Sequence, residues 1–66
     1  MKVIYDPETD TLNFILRDAK IKESDEVKEG VIVDYDKKGK VVSIEVLNAS
    51  KHTEKPLEVS YEILKA

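Results

Sequence analysis

Apolar residues recur at every second position along much of this chain. Val3 and Tyr5 share one phase, as do Leu12, Phe14 and Leu16, then Val31, Val33 and Tyr35, then Val42, Ile44 and Val46. Successive side chains of a strand point to opposite faces, so a period of two gathers each set on one face, whereas a helix would scatter it. Fourteen residues are Val or Ile, types that lose rotamer freedom in helices and pack well on a pleated surface. The expectation is a mainly β fold with little or no helix: two antiparallel β-hairpins in one curled sheet.

The hairpins repeat. A shift of 30 residues lays Val3-Ile4-Tyr5-Asp6 on Val33-Asp34-Tyr35-Asp36, and Leu12 to Leu16 on Val42 to Val46. Duplication and the shared grammar of β-hairpins both account for this match. In Asp36-Lys37-Lys38-Gly39-Lys40, Asp36 can accept a turn hydrogen bond and Gly39 can take the left-handed position of a type I turn with a bulge. In Asp6-Pro7-Glu8-Thr9-Asp10, Pro7 suits the first central turn position, but Thr9 stands where the other loop has Gly39, so that loop's geometry differs.

Two segments are less clear-cut. Seven of the ten residues from Lys20 to Glu29 are charged, which fits either an edge strand blunted by charge or a solvated loop. Leu57, Val59, Tyr61 and Ile63 alternate with Glu58, Ser60 and Glu62, which predicts a fifth, C-terminal strand. A helix over residues 56–65 is the competing reading, with Pro56 as its start signal; it would split Leu57 from Val59 by about 160°.

At 66 residues and 7.5 kDa, residues 1–66 form a single small domain with little capacity for a core. Ile4, Ile15, Ile32, Val41 and Leu47 fall in the opposite phase and put apolar area on a second face. With no strong helix to cover it, the sheet either curls into a small barrel or stacks on a second chain, and the homodimer is the preferred expectation.

The chemistry is mostly excluded. Eleven Lys and Arg against fourteen Asp and Glu give a net charge of -3, which argues against a nucleic-acid surface. No apolar run approaches the roughly 20 residues that span a bilayer, and the first residues lack the apolar stretch of a signal peptide, so a cytoplasmic protein with no membrane partner is expected. Absence of cysteine removes disulfides, thiolate zinc sites and a thiol nucleophile. Asp34-x-Asp36-x-Lys38-Gly39 with Glu45 has the spacing of a calcium loop, but Lys38 is a cation where a ligand is needed and strands flank it. His52 is the single histidine; Ser50 and Glu54 lie near it in sequence without forming a triad pattern. Asp34 with Asp36 and Asp6 with Asp10 are pairs that an acid-rich composition produces unaided. Gly30 and Gly39 are isolated and cradle no phosphate. The three tyrosines and Phe14 fall in the inner phase as core residues. No catalytic, cofactor-binding or metal-ligating residue is assigned, no cofactor is expected, and the expected activity is non-enzymatic. The alternative is a small-ligand or metal-binding protein, or a minimal enzyme, with its site at a dimer interface.

Tyr5-Asp6-Pro7-Glu8-x-Asp10-x-Leu12, Glu23-Ser24-x-Glu26-Val27, Gly30 to Asp36, Gly39-x-Val41-Val42-x-Ile44-Glu45 and Leu47-Asn48-Ala49-Ser50 occur in this order. Over Val3 to about Ser50 the chain resembles domain of unknown function family 2283, short prokaryotic proteins without an assigned activity. It departs from that pattern at Ile15, where the family usually has an outward Arg. The resemblance implies a small β-rich fold and supplies no catalytic residues. Members of such families can sit beside small toxin-like genes, which implies an antitoxin-like role with a small protein partner.

Overall fold

The computed structural model describes residues 1–65, and the alternating segments are strands of one antiparallel sheet. They are β1 (Lys2–Asp6), β2 (Thr11–Ile15), β3 (Glu23–Lys28), β4 (Val31–Tyr35) and β5 (Val41–Val46), followed by one 3-10 turn, η1 (Ala49–Lys51). The order across the sheet is β1-β2-β5-β4-β3, so the two expected hairpins, β1–β2 and β4–β5, join through β2 and β5. The sheet stays open, with β1 and β3 as its edges.

Register follows the alternation. Val3 pairs with Phe14, Phe14 with Ile44, and Ile44 with Val33; Tyr5, Leu12, Val46 and Val31 make the next row. Residues directly opposite share a face, so these eight side chains form one apolar surface. None of the eight is fully buried. The only buried hydrophobic residues among those described are Val42 and Ala49. Tyr35 pairs with Val41 while Asp34 pairs with Ser43, which leaves Val42 as the extra residue of a bulge. The shift also brings Val41 opposite Tyr35, off the face that simple alternation assigned to it.

Both turns behave as their residues dictate. Gly39 has φ +79°, its N–H donates to the Asp36 carbonyl at 3.0 Å, and the Asp36 N–H donates to the Lys40 carbonyl at 2.9 Å. Asp36 Oδ1 accepts from the N–H groups of Lys38 and Lys40, each at 2.9 Å. In the other loop Asp6 Oδ1 accepts the Glu8 N–H at 2.9 Å, but the left-handed residue is Asp10, φ +53°, one place beyond Thr9. Asp tolerates that region better than a β-branched Thr does.

The fifth strand is β3, and among the described residues the expected C-terminal strand is absent. β3 is the charged segment, all six of its residues are exposed, and it reaches β4 through Glu29 and Gly30, the latter at φ +77°. An edge strand needs backbone pairing on one side only, so charge does not exclude it and protects the edge. Pro56 instead serves a turn: the Glu58 N–H donates to the Lys55 carbonyl at 3.0 Å, which puts Pro56 at the first central position. Beyond it Leu57, Val59, Tyr61 and Ile63 have no regular structure and are 84%, 62%, 77% and 81% exposed. Tyr61 is therefore not a core residue. Alternation states which side a strand would bury, not whether a free edge lies within its reach. Among the described residues no helix is long and apolar enough to cross a membrane.

Candidate functional site

The opposite face of the sheet carries a polar cluster. Ser24 of β3 pairs with Asp34 of β4, which pairs with Ser43 of β5, so two hydroxyls flank one carboxylate. Ser24 donates to Asp34 Oδ1 and Ser43 to Asp34 Oδ2, both at 2.6 Å. Asp34 and Ser43 are 2% and 3% exposed. Glu45 lies one row along, opposite both Asn13 and Ile32. Residues 17–22 cross over this end of the sheet, where Ala19 and Ile21 join Asn13, Asp34, Ser43 and Glu45 around an open cavity of about 280 Å³. Ile15, the departure from the family pattern, lines the same cavity.

The two carboxyls share one task unequally. Burial pushes Asp34 up, but hydrogen bonds from Ser24, Ser43 and Glu45 outweigh it and hold its carboxyl below the usual 3.8. Glu45 is raised above its usual 4.5, first by its hydrogen bond to Asp34, then by burial and by the Asp34 charge. The pair thus keeps Asp34 ionised while Glu45 retains its proton to higher pH. Asn13 Oδ1 is buried without a hydrogen-bond partner. This arrangement can hold a proton and fix three strands in register. Its carboxylate is already engaged by hydroxyl donors, and His52 lies elsewhere, on η1's C-terminal side.

A second polar cluster clasps the 3-10 turn to the sheet. Tyr5 donates its hydroxyl to Asp10 Oδ1 at 2.8 Å, and Ser50 donates its hydroxyl to Asp10 Oδ2 at 2.6 Å. The Ala49 N–H donates to the Asp10 carbonyl at 2.9 Å, and Ala49 is fully buried. Asn48 enters the turn at φ +52°. The Ser50 hydrogen bond, then that of Tyr5, lowers the Asp10 carboxyl, while the Asp10 hydrogen bond raises the Tyr5 phenol. Ser50 therefore serves Asp10 rather than His52. A third tie is Arg17, whose guanidinium donates to Asp36 Oδ2 at 2.7 Å and to the carbonyl of Val41 at 3.2 Å. Arg17, followed by the Lys40 N–H, brings the Asp36 carboxyl down to about 2.

Two sequence pairings therefore separate in space. Asp34 and Asp36 serve different partners, the first two hydroxyls and the second a turn and Arg17. Asp6 caps its own turn while Asp10 holds η1. Sequence reading did not single out Asn13, Ser43 or Arg17, had Ser24 only within the family motif, and had Glu45 only there and as a calcium-loop position. Their signal was polar residues inside alternating strands, which acquires meaning only with the register.

All three ties lie within residues 2–50. Over those residues the chain matches the family described as "Protein of unknown function (DUF2283)". The chain belongs to this family. It is also 41% identical over 51 residues to the uncharacterized protein MJ0789 of Methanocaldococcus jannaschii, a match that covers 77% of this chain and 43% of that protein. The chain thus spans less than half the length of that relative. No solved structure matches it. The residues that carry the DUF2283 resemblance have visible structural work: Tyr5, Asp10, Ala49 and Ser50 build the clasp, Asp36 and Gly39 the turn, and Asp34 the polar cluster.

Proposed function

We propose that this protein is a non-enzymatic protein-interaction module that self-associates through the apolar face of its sheet. The carrying observation is the surface of Val3, Tyr5, Leu12, Phe14, Val31, Val33, Ile44 and Val46, eight in-register residues none of which is fully buried in the single chain. A one-layer sheet that buries only Val42 and Ala49 among its described hydrophobic residues gains its core from a second layer. A second copy supplies one by isologous stacking. The exposed edge strand with Glu23, Asp25 and Glu26 adds an acidic stripe suited to a basic protein partner, the complementarity an antitoxin-like role would use. Light scattering at tens of micromolar tests the first step: a mass near twice 7.5 kDa is expected, and a monodisperse monomer refutes the reading.

A further inference from the structure

We infer that Leu57–Ile63 becomes a strand only in the dimer, where it adds to the β1 edge of a second copy. This inference rests on the self-association just proposed. Leu57, Val59, Tyr61 and Ile63 alternate with polar residues as a half-buried strand requires, yet each is more than three-fifths exposed in the single chain. Seven extended residues span about 23 Å, enough to cover the five residues of β1. Val59 and Ser60 lie over Val3, Leu12 and Phe14, on the side of the sheet that a stacked second copy occupies.

Area points the same way. Five strands of five or six residues present a face of about 24 by 17–20 Å, so two stacked faces bury roughly 800–1,000 Å² by footprint. Stable interfaces bury about 1,200 Å² or more. Two reciprocal tails, each with four apolar side chains continuing the row of Val3 and Tyr5, supply the difference.

Charge selects the edge. On β3 the tail's apolar phase would meet Glu23 and Asp25, and its Glu58 and Glu62 would meet Glu26. By contrast β1 offers Val3 and Tyr5 to the apolar phase and a balanced Lys2 and Asp6 to the polar one. Strand addition to an open edge takes affinity from the backbone and specificity from alternate side chains.

Val59→Pro and Ser60→Pro in the full chain test the pairing. Adjacent N–H groups point to opposite edges, so one of the two prolines removes a ladder hydrogen bond, and neither residue belongs to a strand in the single chain. One is expected to raise the dimer dissociation constant about a hundredfold with the β circular dichroism spectrum unchanged. Because the chain lacks cysteine, mixing an Ile4→Cys chain with one carrying Glu58→Cys, Ser60→Cys or Glu62→Cys reports the contact directly. A disulfide between the two chains in at least one mixture is expected. A dimer that survives both prolines and forms no such disulfide overturns the tail inference and leaves face-to-face association standing. A wild-type monomer, or an intrachain disulfide in a monomeric doubly substituted chain, overturns it as well, the former together with self-association itself.

Discussion

Replacing Glu45 by Gln should stabilise the protein above neutrality and leave it unchanged near pH 4. Glu45 is raised above 4.5, so the stability it contributes is fully present below 4.5 and is lost as pH rises through its folded value. Asp34 is depressed below 3.8, so its contribution is present above 3.8 and is lost as pH falls. The pair is best satisfied between the two, with Asp34 ionised and Glu45 protonated. Once Glu45 ionises, its donor is gone and a second negative charge stands beside an Asp34 that is 2% exposed. Gln keeps a donor at every pH. A hydrogen bond to a charged acceptor contributes about 1.5–3 kcal/mol, and the half-buried setting of Glu45 argues for the lower end. At about 1.5 kcal/mol, a domain of this size gains roughly 6–12 °C in Tm. Thermal melts followed by circular dichroism at pH 4 and pH 8, at fixed chain concentration, measure this directly. In an Asp34→Asn background the gain should shrink, since the two residues then no longer share a charge. An equal shift at both pH values, or destabilisation at pH 8, refutes the shared-proton account.

Two further substitutions examine the other ties. Gly39→Ala should cost about 1 kcal/mol through its φ of +79°, with open space around the new methyl group, and Gly39→Asn should recover most of it; equal losses in urea titrations would place the cost outside the backbone conformation. Arg17→Met should return the Asp36 carboxyl from about 2 towards 3.8, read from carboxyl chemical shifts; an unmoved titration would assign the depression to the turn N–H groups instead.

Sequence phase carried the fold as far as local pattern can. The two hairpins and the Asp36–Lys40 turn were legible because Val3/Tyr5, Phe14, Val33 and Ile44 declare their face and Gly39 its conformation. Sequence phase predicts the tail as a strand and leaves β3 open between edge strand and loop, for one reason. An edge strand such as Glu23–Lys28 is held mainly by backbone pairing, with Ser24 as its side-chain tie, which leaves little trace in the sequence. Conversely, Leu57–Ile63 alternates as a strand would, yet its apolar residues stay exposed in the single chain. The polar cluster was illegible for a different reason. Ser24, Asp34 and Ser43 are far apart in sequence and meet only because three strands fall into one register.

These roles bear on where specificity can reside. The clasp, the glycine turn and the Asp34 cluster each satisfy polar groups within the chain, and they absorb most of the polar residues that carry the family resemblance. A residue occupied in this way is costly to change and has little left to offer a ligand. The shared pattern therefore accounts for a sheet and its bracing. The unsatisfied features are the half-buried apolar face and the exposed tail, and the tail lies beyond residues 2–50 that the family match covers. Surfaces left incomplete by folding are the ones on which association can act.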